Sequence, residues 1–231
     1  MSLIEKIQNS LPKYKVKVPS TGQNTFFRPF LMKEQKMLLV AQQSKDKSEI
    51  LKAMTTVVEN CVDDIPNVLE MPLYDLEYLF IQIRAKSVSE KSEPTFTCPA
   101  TGQTVKTGIN LTEVQIFKGN PKSKIKVTDK LTVEMRSPTV KDYVLIDSEN
   151  WFETLMARCM SKLIFEDEVF EGVSIQDEEK LEILETMTQK QYNTCVKFID
   201  EQPYIYTDVK YRTEDGELRD IRFKGMKDFF S

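Results

Sequence analysis

The run from Met71 to Leu111 joins a helix directly to a β-hairpin, and so ties together the two kinds of structure this chain can form. Its first part reads MPLYDLEYLFIQIRAKSV. Pro72 suits a first helical turn, where its missing N–H costs nothing. Leu73, Leu76, Leu79, Phe80 and Ile83 then recur on one face. Asp75 and Glu77 come early and Arg84 and Lys86 late, which complements the helix dipole. After the polar break SEKSEP the chain reads TFTCPATGQTVKTGINL, two extended runs about a Thr-Gly turn. A buried helix delivering the chain into a hairpin predicts an α+β protein, and it carries no catalytic signal of its own.

The flanking sequence repeats this theme. A short helix is expected at 2–9, ended before Pro12. YKVKV (14–18) and TFFRPF (25–30) read as a hairpin about Gly22. Helices are expected over 32–43 and 47–62, the second with Ile50, Leu51, Met54, Val57, Val58 and Cys61 as its apolar stripe. A second hairpin is expected where Ile125 and Val127 alternate with lysines and Leu131, Val133 and Met135 alternate with polar residues. Thr139 caps a short helix, and further helices are expected over 150–163, 177–187 and 189–201, with a short hairpin at 165–173. Asp215-Gly216 turns a last hairpin, 204–211 against 217–223. The fold expected is therefore α+β, with short antiparallel β-hairpins and several amphipathic helices. Residues 96–111 and 211–226 echo one another, each a strand, a polar corner ending in Gly, and a strand. Two pseudo-repeated halves, 1–118 and 119–231, would explain the echo; so would an ordinary α+β chain rich in hairpins.

Composition removes whole classes of chemistry. The chain has no histidine, which excludes Ser-His and Cys-His triads, histidine bases and most zinc sites. Its seven glycines form neither G-x-G-x-x-G nor a G-K-[ST] loop. Cys61, Cys98, Cys159 and Cys195 are far apart and read as free thiols, three of them as small core residues. The Cys98-Pro-Ala-Thr-Gly corner has the shape of a zinc knuckle, but Thr101 stands where a second thiolate would be needed. No cofactor and no metal are expected. A net charge of −4 gives no sign of nucleic-acid binding, and no apolar run is long enough to span a membrane. The start of the chain, MSLIEKIQNSLPKYK, lacks an apolar signal core and points to assembly inside a cell.

Three features invite a functional reading. Glu166, Asp167, Glu168 and Glu171, with Asp177, Glu178 and Glu179, form an acidic run that a hydrolase could use, though such runs are usually solvated. Lys122, Lys124, Lys126 and Lys130 form a basic strand, the only candidate for nucleic acid. Phe26-Phe27 and Phe229-Phe230 are adjacent aromatic pairs. Neighbours in a strand point to opposite faces, so Phe26 and Phe27 cannot share one core face, and these four residues are the candidates for partner binding.

Four strings together carry a resemblance: KVKVPSTGQNTFFRPFLMKEQKMLL (15–39), LYDLEYLFIQIRAKSVSE (73–90), FTCPATG…INLTEV (96–114) and GMKDFF (225–230). Their combination resembles the baseplate family of T-even-type tailed bacteriophages, which includes a small hub subunit and hub-assembly proteins. Some members carry Cys-x-x-Cys where this chain has Cys98 to Thr101. The resemblance implies a non-enzymatic component of the tail baseplate hub, or a chaperone of hub assembly, acting through protein–protein contacts. It implies other hub or hub-assembly proteins as partners, leaves self-association open, and places the chain in the host cytoplasm during assembly and in the virion tail baseplate if it stays there. The alternative is a tail-associated hydrolase built on the acidic run.

Overall fold

The computed structural model describes residues 10–146 and 150–230, so the helix expected at 2–9 lies outside the described residues. Within them, eight α-helices alternate with short antiparallel strands, the α+β class expected. The chain divides into two compact units, one of residues 1–117 with 204–231, the other of 118–203.

In the first unit, β1 (Tyr14–Lys17) pairs with β2 (Asn24–Phe27) in the register Tyr14↔Phe27. Alternation puts Val16, Thr25 and Phe27 inside and Lys15 and Phe26 outside. α1 (Met32–Ser44) begins after Leu31, which offers no capping side chain; the buried Glu34 carboxylate compensates by accepting from the Leu31 amide at 2.7 Å and Arg28 Nη2 at 3.1 Å. Asp46 caps α2 (Lys47–Cys61) by accepting from the Ser48 amide at 2.8 Å. α3 (Leu73–Ser87) buries Leu76, Leu79, Phe80, Ile81 and Ile83. At its first turn the fully buried Asp75 accepts from the Ser20 amide at 3.0 Å and from the Ser20 hydroxyl, which pins the β1–β2 turn to this helix.

The hairpin expected over 96–111 is in fact two nested ladders. β4 (Thr95–Thr97) pairs with β5 (Thr104–Lys106), and β3 (Lys91–Ser92) with β6 (Ile109–Asn110). Pro94 separates them: it has no amide to donate, and only its carbonyl takes part, accepting from Thr107 at 3.2 Å. β7 (Gln115–Phe117) then pairs with β12 (Tyr204–Arg212), which pairs with β13 (Leu218–Lys224). α8 (Gly225–Phe229) closes this unit, with Phe229 buried beside Ile81, Leu111, Ile205 and Phe223. The division at 118/119 assigns the closing hairpin to a C-terminal half. The structure instead joins that hairpin to the first unit, because the β7–β12 ladder and the core around Phe229 hold it there.

The second unit is a four-stranded antiparallel sheet in the order β11-β10-β9-β8, formed by β8 (Lys124–Lys126), β9 (Leu131–Met135), β10 (Met160–Phe165) and β11 (Glu168–Glu171). Its helices are α4 (Val140–Val144), α5 (Trp151–Cys159), α6 (Asp177–Glu185) and α7 (Gln189–Asp200). Val133, Met135, Leu155, Met156, Leu163, Cys195 and Phe198 form its core. The helix expected over 150–163 stops at Cys159. Met160 to Leu163 are strand, because pairing with β9 buries Met160 and Leu163 as well as a further helical turn would. Gly172 follows β11 where a Cβ would lie 2.0 Å from the Met160 carbonyl oxygen, so only glycine fits.

Glu77 on α3 accepts from the Met226 amide at 3.2 Å, and burial pushes its carboxyl up to about 7 from an ordinary 4.5. The folded state therefore holds a proton that the unfolded chain gives up, and stability falls as pH rises from about 4.5 to about 7. Glu77→Gln is expected to flatten that slope in melting temperature measured against pH. Asp75→Ala leaves the Ser20 amide without its acceptor and is expected to cost about 1.5–3 kcal/mol in urea unfolding.

Candidate functional site

The first unit contains the same tight turn twice. Over Val18–Gln23, the Val18 amide donates to the Gln23 carbonyl at 2.8 Å and the Gly22 amide to the Val18 carbonyl at 2.8 Å. Over Cys98–Gln103 the same two bonds recur at 2.8 and 2.9 Å. Gly22 and Gly102 hold φ of 72° and 69°, left-handed values that favour glycine. The strings VPSTGQ and CPATGQ announce this equivalence, but the sequence reading pairs the second turn only with the one at 213–217. That third turn closes differently, through the Gly216 amide to Thr213 at 2.9 Å.

The second and third turns meet. The Glu214 amide donates to Gln103 Oε1 at 3.2 Å, and Tyr211 Oη donates to Cys98 Sγ at 3.2 Å. Phe96 packs edge-on against Tyr211 with ring centroids 4.8 Å apart. Hydrogen bonds from the Thr101 and Tyr211 side chains bring the buried Cys98 thiol down to about 7. Thr101 in the second turn, and Arg212 and Asp215 in the third, stand where further thiolates would be required of a tetrahedral metal site. Among the described residues, no group of three or more His, Cys, Asp or Glu side chains could hold a metal ion. The enclosed thiol, held by hydroxyl groups, locks the two turns together.

The four aromatic candidates separate. Phe26 is 49% exposed and Phe27 is 3% exposed, packed against Tyr14. Phe229 is fully buried, and Phe230 lies beneath the Arg84 guanidinium, 4.2 Å from its carbon to the ring centroid. Of the four, Phe26 turns most openly to solvent. α1 adds a feature that sequence reading missed: Met32, Leu39 and Val40 are exposed on its outer side, and helical spacing aligns them with Lys36. The signal was available in the spacing of Met32, Leu39 and Val40, which helical geometry sets on the face that carries Lys36.

In the second unit three members of the acidic run are tied to cations. Glu166 pairs with Lys130 at 2.5 Å, Glu171 with Lys162 at 3.5 Å, and Asp177 with Arg158 at 3.0 Å and Lys180 at 3.4 Å. Lys122, Lys124 and Lys126 lie exposed along and before β8. Among the described residues no helix is long and apolar enough to cross a membrane.

Tyr211→Phe removes one donor to Cys98 and is expected to raise the thiol above about 7, while Tyr206→Phe leaves it unchanged. Thiolate absorbance followed against pH measures both.

A family model described as T4 bacteriophage base plate protein matches residues 11–231. No curated protein and no solved structure matches the chain.

Proposed function

Because the chain belongs to the T4 bacteriophage base plate protein family, and is thus a phage baseplate component, we propose that it acts at the central hub of the baseplate, as a subunit or as a chaperone of hub assembly. It works through protein contacts and not through catalysis. Its partners are other hub or hub-assembly proteins, met in the host cytoplasm while the tail is built. The family match carries the reading, since it spans residues 11–231 and so extends over both units.

The exposed side chains suit such a role. Met32, Leu39, Val40 and Phe26 put apolar surface where a monomer gains nothing from it. The chain has no histidine, and Glu166, Glu171 and Asp177 of the acidic run are held in ion pairs, which argues against a hydrolase built on those three.

Recovery of the tagged chain from infected cells, with mass spectrometry of assembly intermediates and of purified virions, tests the proposal. Hub proteins in the intermediates alone indicate a chaperone; hub proteins in both indicate a subunit; no tail protein in either overturns the reading. Met32→Asp with Val40→Asp is expected to cut the recovered partner roughly tenfold and to leave the melting temperature nearly unchanged, since both residues are exposed.

A further inference from the structure

The four-stranded sheet of the second unit ends in two edges that pair with no further strand among the described residues. One row of side chains across its outer face reads Lys124, Glu134, Lys162, Glu171, each directly opposite the next. The charge alternates at every step. The neighbouring row, on the core face, reads Ile125, Val133, Leu163, Phe170 and is apolar throughout. Both rows stop short at β11. Glu171 has a lysine on one side only, and Phe170 is 45% exposed where Ile125, at the other end of its row, is 3% exposed.

The two edges match each other. In an antiparallel sheet of four strands, β8 and β11 run in opposite directions, so a second copy laid alongside in the same sense presents its β8 antiparallel to β11. One register then sets Glu171 opposite the second copy's Lys124, Phe170 opposite its Ile125, and Val169 opposite its Lys126. Both rows continue unbroken. The backbone agrees with this register. The Val127 amide bonds to Leu131 and the Met135 amide to Ser123, so residues 124 and 126 turn their amides away from β9. The two-residue turn Glu166–Asp167 makes Phe165 and Glu168 the hydrogen-bonded closing pair, so residues 169 and 171 turn theirs away from β10. These outward groups fall opposite one another. α7 reaches β8 through the Gln191 side chain, which donates to the Val127 carbonyl, so an added copy brings its own helix towards Phe170 and the exposed Phe165.

We propose that copies of this chain join edge to edge, β8 of one against β11 of the next, with Glu171–Lys124 and Phe170–Ile125 as matched pairs. Charged edges commonly fend off such pairing, but here the two edges are opposite in sign, with Lys124 and Lys126 on β8 and Glu168 and Glu171 on β11. The contact is heterologous, so it closes into a ring or extends as an open array. It stands apart from the hub reading, because the match lies within the sheet itself.

An equal mixture of isotopically heavy and light full-length chain, treated with a zero-length carbodiimide, tests the interface. Within one copy, Lys124 and Glu171 are three strand spacings apart, roughly 14 Å, too far for a direct link. The expected product joins heavy and light peptides through these two residues, and sedimentation shows mass rising with concentration. Glu171→Lys and Lys124→Glu are each expected to weaken association roughly fivefold. Mixing the two variants restores it, since one keeps a native β8 and the other a native β11. A chain that stays monomeric at every concentration, or links copies without joining these edges, overturns the proposal.

Discussion

The antiparallel pairing of β7 with β12 is the constraint on which the rest of the first unit depends. It sets Phe117 opposite Tyr204 and Ile116 opposite Ile205, residues far apart in sequence. Ile205 is fully buried with Ile81, Leu111 and Phe229, so the ladder also completes a core that neither flanking segment builds alone. Everything between the two strands must then fold as an insertion, and residues 118–203 do so around their own sheet and their own apolar cluster. Loop closure on this scale costs little more than closure over a short loop, which makes the arrangement affordable in free energy.

α3 plays the matching part on the other side of that unit. Asp75 receives the β1–β2 turn, Glu77 receives the α8 backbone, and Arg84 stacks on Phe230. Three polar groups on one helix thus fix two separate segments, the β1–β2 turn and the C-terminal stretch from Met226 to Phe230. Asp75 and Glu77 both have carboxyl groups raised by burial, so holding the segments together carries an electrostatic cost that the apolar face of the helix offsets.

Much of this was legible in the residues. The stripes of α2 and α3, the Asp-Gly turn and the first hairpin follow local rules, and local rules are what a sequence states openly. The misreadings arose where a distant partner decided the outcome. Met160–Leu163 continue a helical stripe, yet β9 draws them into a ladder. Phe27 and Phe229 match their neighbours Phe26 and Phe230 in type, and only tertiary packing commits them to the core. The closing hairpin belongs with the first unit although nothing local announces that β12 pairs with β7. The twin turns at Val18 and Cys98 are also legible in the strings VPSTGQ and CPATGQ, although the sequence reading pairs the second with the turn at 213–217 instead.

The placement of β12, β13 and α8 has a consequence for how the chain is made. Residues 118–203 are contiguous and can fold as soon as they leave the ribosome. The earlier-made segments, 10–117, must wait, because the strands and the buried Phe229 that complete their core are synthesised after the inserted unit. During that interval Ile81 and Leu111 lack Ile205, Phe223 and Phe229. The unit begun first is thus the unit finished last, and a ribosome that stalls within the insertion leaves a well-formed sheet attached to an open core.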